Sequence, residues 1–111
     1  TCALPILGGE GAWKLAMKYP DKFAAIIPIC GKGNPSLAGK IRGIPIWVFH
    51  GAKDETISVK ESEVMVKALK SLQADVQYTV YPEAGHDSWT KTYNNPEIYD
   101  WLLNHTLENK R

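Results

Sequence analysis

The stretch Ile44-Pro45-Ile46-Trp47-Val48-Phe49-His50-Gly51-Ala52-Lys53-Asp54 decides how this chain is read. Ile44 to His50 is an apolar run of strand length, closed by Gly51, and such runs mark strands buried on both faces. Asp54 stands just past its end. The same arrangement recurs downstream, where Val76 to Tyr81 reads as a strand and Pro82-Glu83-Ala84-Gly85-His86 follows it. An acid after one strand and a histidine after the next is a spacing with chemical meaning.

Outward from that stretch, the elements alternate. Gly9 to Tyr19 reads as a helix with Trp13, Ala16 and Met17 on one face and Lys14 and Lys18 opposite, ended by Pro20-Asp21. Phe23 to Cys30 is a second continuous apolar run, bounded by Gly31. Pro28 within it argues mildly for an edge, because proline donates no ladder bond. Gly31 to Gly43 is a loop with a helical turn near Leu37. Ser58-Val59-Lys60-Glu61 is a capping box opening a helix to about Leu72, with Val64, Met65, Ala68, Leu69 and Leu72 as its buried face. Val76 to Tyr81 alternates more than the other strands and belongs nearer an edge. Asn95-Pro96 starts a last helix lined by Ile98, Trp101 and Leu102.

Helices interleaved with three strands predict an α/β layered sheet of mainly parallel strands. In such sheets the working residues sit in loops at the carboxyl ends of strands. Cys30-Gly31, His50 to Asp54 and Pro82 to His86 all fall there.

Bulk properties narrow the classes further. At 111 residues the chain holds at most one small domain. A net charge of +1 gives no electrostatic reason to expect nucleic acid or an anionic membrane, and neither is expected as a partner. Lys14, Lys18 and Lys22 fit a solvated helix face. The apolar runs are too short to span a bilayer. Two cysteines, Cys2 and Cys30, make neither a metal-site spacing nor a disulfide framework.

From Gly8 to its end, the chain resembles the C-terminal half of an α/β-hydrolase of the dienelactone hydrolase and prolyl-oligopeptidase-like esterase group. The predicted-peptidase or phospholipase/carboxylesterase-like branch is its nearest likeness. The residues that carry the resemblance are Gly8-Gly9-Glu10-Gly11-Ala12-Trp13, Tyr19-Pro20-Asp21-Lys22-Phe23-Ala24-Ala25-Ile26 and Pro28-Ile29-Cys30-Gly31. Trp47-Val48-Phe49-His50-Gly51 with Asp54, Gly85-His86-Asp87-Ser88-Trp89 with Tyr93, and Tyr99-Asp100-Trp101-Leu102-Leu103 complete them.

The resemblance implies a serine hydrolase that cleaves ester, thioester or amide bonds through an acyl-enzyme, with no cofactor and no metal. Its substrate would be a small ester or peptide-like molecule. His86 would be the general base, and Asp54 would orient its imidazole. Members of the group place Gly-x-Ser-x-Gly-Gly just ahead of the first helix. Aligned on Gly8 and Gly9, the nucleophile falls on Ile6, which has no heteroatom to attack a carbonyl. The N–H of Leu7, at the start of the helix, would donate to the oxyanion, with Gly8 and Gly9 allowing the turn.

Thr1-Cys2-Ala3-Leu4-Pro5-Ile6 shares no pattern with the strand that should precede such a turn, and Pro5 breaks it. These six residues are also the translation of ACG-TGT-GCT-CTT-CCG-ATC, the end of a common sequencing adaptor. The adaptor's final T in place of the first base of a Met codon would read as Leu7. Residues 1–7 are therefore expected to be a non-native, adaptor-derived segment, and residues 8–111 a partial α/β-hydrolase domain, inactive as it stands. Without a nucleophile strand beside it, Phe23 to Cys30 would present an unpaired apolar edge, prone to self-association and poor solubility.

Other residues have plainer readings. His50 is expected to be structural beneath the acid loop, Asp87 superficial, and Ser88 a turn residue too close in sequence to serve His86. Cys30 ends a strand rather than sitting in the turn, so a small buried side chain is expected. Trp89 and Tyr93 suit a pocket wall or packing on the last helix equally. A metal held by His50, Asp54 and His86 has no recognised spacing. Two other classes compete with the hydrolase: a hydrolase-like binding module that lost its nucleophile, and a small flavodoxin-like binder. The second lacks a Gly-rich phosphate loop after a first strand.

Overall fold

The computed structural model describes residues 4–85 and 88–109. Its centre is a sheet of four parallel strands, β1 (Leu4–Gly8), β2 (Phe23–Pro28), β3 (Ile46–Gly51) and β4 (Val76–Tyr81), in the order β1-β2-β3-β4. Between them run helices α1 (Glu10–Lys18) and α2 (Val59–Ser71), and after β4 come α3 (Ser88–Tyr93) and α4 (Pro96–Asn109). Short 3₁₀ turns at Pro20–Lys22 and Pro35–Ile41 complete the connections. The three strands expected from the sequence are present, and β4 lies at an edge as its alternation required.

The side chains of the central strands divide by the two-residue period of a pleated strand. Ile26 of β2 and Ile46 and Val48 of β3 face α1 and α2, packing with Trp13, Ala16, Met17, Met65, Val66 and Leu69. Ala25 and Ile27 of β2 with Trp47 and Phe49 of β3 face the other way, onto Ile98, Leu102 and Trp101 of α4. Both faces of β2 and β3 are thus covered, which is why these strands read as unbroken apolar runs. Each fully buried large side chain contributes roughly 1.5–3 kcal/mol relative to exposure.

Two expectations change. β2 has no unpaired edge: β1 lies parallel to it, Ile6 pairing with Ile26 and Leu7 with Ile27. Pro5 fits because β1 is itself the edge strand and the ladder shifts register between Leu4 and Pro5, the kind of irregularity that accepts a proline. The physical basis expected for self-association along β2 is therefore absent. In α2, Val64 is 47% exposed, and Ser62 takes its place on the buried face with Met65, Val66 and Leu69. A hydroxyl is buried there because His50, which shares the Ile46–Val48 face of β3, lies beneath it and bonds to it.

The helix starts behave as read, with one difference. Ser58 caps α2 by accepting from Lys60 N–H at 3.2 Å, one position earlier than a capping box uses, and Asn95 caps α4 through Glu97 N–H at 3.0 Å.

Candidate active site

The carboxyl ends of the four strands are drawn together by residues that lack a Cβ. At the end of β2, a Cβ on Gly31 would lie 2.6 Å from Glu10 N, so only glycine lets the α1 start sit so close. At the end of β3, a Cβ on Gly51 would collide with the Ala84 and Gly85 carbonyls. The loop after β4 is tied to the loop after β3 by Ala52 N–H to Tyr81 O and Lys53 N–H to Ala84 O, both 3.0 Å. Gly85 is therefore held against β3, immediately before His86 in sequence.

Asp54 is buried at 8% exposure. Its Oδ1 accepts from the backbone N–H groups of Thr56 and Ile57, each at 2.8 Å, which folds residues 54–57 around the carboxylate. Two donors on one oxygen hold the group in one orientation. Its Oδ2 lies 3.4 Å from His50 Nε2.

His50 is fully buried and structural, as expected. Its Nε2 lies 2.7 Å from the Ile57 carbonyl and its Nδ1 2.7 Å from Ser62 Oγ. A carbonyl can only accept, so Nε2 carries the proton and Nδ1 accepts from the Ser62 hydroxyl in the neutral ring. The ring thereby fastens the acid loop to α2.

Cys30 lies across from them. It follows β2 in the left-handed region, with φ of 52°, and its Sγ is hydrogen-bonded to Ser88 Oγ. Burial pushes the thiol above its usual range, and the charge of Asp54 adds to the rise, so it is not an activated nucleophile. Ser88 is 1% exposed and opens α3. Cys30, His50 and Asp54 place a sulfur, a ring nitrogen and a carboxylate oxygen within 4.8 Å of one another.

The turn ahead of α1 differs from expectation. The β1–β2 ladder keeps the chain extended through Gly8, and α1 begins at Glu10, leaving Gly9 alone as the turn. Ile6 is inside the strand, and Leu7 is paired with Ile27 in the ladder, not at the helix start where an oxyanion donor would stand. Trp89 packs over this turn: its Cζ2 would be 3.5 Å from a Cβ on Gly9, and its ring stacks on Tyr93 with centroids 5.6 Å apart. His86 and Asp87 lie outside the described residues.

Sequence reasoning missed Ser62 and Ser88, and it placed Cys30 at the same sheet edge as His50 to Asp54 without giving it a partner. Ser62 carried a signal, being a polar residue in phase with Met65, Val66 and Leu69.

With this geometry in hand, the sequence matches the Dienelactone hydrolase family over residues 6–100. The chain belongs to that family. It is 43% identical over 88 residues to a Yersinia pestis protein named for carboxymethylenebutenolidase activity, covering 71% of this chain and 33% of that protein. A thermostable esterase of known structure superposes with a TM-score of 0.86 at 39% identity, over 91% of this chain and 30% of the esterase. An acylaminoacyl peptidase from Pyrococcus horikoshii shares the fold, with a TM-score of 0.71 at 16% identity, over 81% of this chain and 21% of the peptidase. The chain thus spans about a third of the curated relative and of the esterase it matches. It is an α/β-hydrolase of the dienelactone hydrolase family, with esterase and peptidase structures as neighbours.

Proposed function

We propose that this chain is the acid-and-base portion of a serine hydrolase that cleaves ester, thioester or amide bonds through an acyl-enzyme. The observation that carries the reading is Asp54, buried at the carboxyl end of β3 and held by two backbone donors, beside a loop that leads directly to His86. In the reaction His86 takes the proton of a serine hydroxyl as the serine attacks the carbonyl. It then returns that proton to the leaving group. Asp54 holds the imidazole in the required tautomer and stabilises its charged form. The substrate is a small ester or peptide-like molecule.

The serine belongs at position 6, where Ile6 stands, so the chain as given does not turn over. Residues 1–7 are adaptor-derived sequence occupying the place of the native nucleophile strand, and the chain is a piece of a longer hydrolase. The family match and the likeness to the thermostable esterase support the hydrolase reading. A second reading, a hydrolase-like binding module without a nucleophile, is favoured by one observation, the ladder that holds Ile6 within a strand.

Recovering the upstream coding sequence separates them. Gly-x-Ser-x-Gly-Gly across positions 4–9 is expected, with short-chain chromogenic ester turnover by the full-length product that falls by roughly 10⁶-fold in His86→Ala. A natural upstream strand without serine, or turnover indifferent to His86, would refute the proposal.

A further inference from the structure

We propose that the cavity between α1, the Pro35–Ile41 turn and α2 binds a medium-chain alkyl carboxylate, the anion of a fatty acid. Its volume is about 700 Å³, inside the range of roughly 300–1,000 Å³ that small-molecule pockets occupy. Trp13 and Met17, one turn apart on α1, supply its apolar lining with Leu37 of the Pro35–Ile41 turn and Val64 of α2. Val64 is the residue that helical periodicity assigned to the core, yet it is half exposed. Lining the cavity, it has apolar surface that an alkyl chain would remove from water.

The polar groups around this lining are mostly cationic donors, four lysines against two glutamates. Two of the lysines are engaged locally: Lys14 lies 3.7 Å from Glu10, and Lys18 sits over the Tyr19 ring at 5.4 Å. Lys32, just after β2, and Lys40, in the turn, have no hydrogen-bond or ionic partner among the described residues. The indole N–H of Trp13, fully buried, has none either. Buried indole N–H groups ordinarily find an acceptor, so this wall adds a donor to the lysine charge. Against them stands one unpaired acid, Glu61. An apolar interior with surplus cationic donors matches a ligand with an alkyl body and a carboxylate head, the head meeting Lys32 and Lys40. The cavity shares no lining residue with the 54–57 acid loop, and the inference stands whether or not the catalytic reading holds.

Sodium decanoate, kept below its micelle concentration, is titrated into the 111-residue chain by isothermal calorimetry. One-to-one binding is expected, about 15-fold tighter than octanoate, since each buried CH₂ is worth about four-fold. Octanoate should in turn bind more tightly than uncharged 1-octanol. Lys32→Glu with Lys40→Glu, both at exposed positions, weakens decanoate about ten-fold or more and leaves 1-octanol unchanged. The same charge change at Lys67 and Lys70, exposed on α2 outside the cavity, leaves both ligands unchanged. Val64→Trp fills the cavity and weakens both; circular dichroism reports whether it folds, and if it does not, the two lysine pairs decide. Failure of decanoate to bind, binding undiminished by the Lys32 and Lys40 changes, or equal loss from the Lys67 and Lys70 changes overturns the proposal. So does binding to phosphatidylglycerol vesicles without uptake of monomeric decanoate, which would assign the lysines to a lipid surface.

Discussion

Replacing Gly51 by alanine tests whether the ends of β3 and β4 are as closely joined as described. The new Cβ would meet the Ala84 and Gly85 carbonyls and lie 2.8 Å from the Ala84 carbonyl carbon, where ordinary contact starts at 3.4 Å. These are backbone atoms, and the two carbonyl oxygens stand closer still, so the loop itself must retreat by roughly 1 Å. The bonds from Ala52 N–H to Tyr81 O and from Lys53 N–H to Ala84 O, each 3.0 Å, would stretch beyond hydrogen-bond range. Losing both costs about 1–3 kcal/mol, and residual overpacking adds about 1–3 kcal/mol. The expected destabilisation is about 2–6 kcal/mol. Urea unfolding followed by tryptophan fluorescence measures it, with Gly39→Ala as control, since nothing lies within 4 Å of a Cβ there. A Gly51→Ala chain within about 0.5 kcal/mol of the unsubstituted one, inside the range of an unremarkable surface change, refutes the reasoning.

Three further outcomes follow from the buried polar groups. Ser62→Ala leaves His50 Nδ1 without its hydroxyl partner and is expected to cost about 1–3 kcal/mol in the same assay; no loss would mean the pairing is unimportant. Asp54→Asn keeps an acceptor for Thr56 and Ile57 N–H whereas Asp54→Ala does not, so the alanine variant should be the less stable by about 1–3 kcal/mol, and equal stability would count against the loop's dependence on Oδ1. The Tyr78 hydroxyl has no hydrogen-bond partner among the described residues, and burial, helped by the charge of Glu63, pushes its pKa up to about 12. The unfolded chain therefore releases this proton first, and stability falls as pH rises from 10 to 12. Tyr78→Phe should flatten that fall and cost little near neutrality; an unchanged pH profile contradicts the assignment.

The sequence made the layered architecture legible because β2 and β3 are buried on both faces and leave uninterrupted apolar runs. The helix starts at Ser58 and Asn95 were legible because capping is local chemistry. What stayed hidden depended on partners distant along the chain. Ser62 is buried only because His50 lies beneath it, so helical periodicity put Val64 there instead. Leu4–Gly8 becomes a strand because β2 offers it a ladder, which neither its composition nor Pro5 suggested. Asp54 was found from its place after a strand, yet the two backbone donors that fix it, and the approach of Cys30, required the folded chain. Residue type and spacing singled out Asp54; only three-dimensional contact supplied its surroundings.

The proposed function requires that Asp54 serve His86. Nitrogen-15 NMR of the histidine rings in the 111-residue chain tests it most directly. A His86 Nδ1–H proton, far downfield and slow to exchange, is expected in the unsubstituted chain and absent in a folded Asp54→Ala chain. A His86 ring whose proton exchanges freely and whose signals ignore the loss of Asp54 would contradict it.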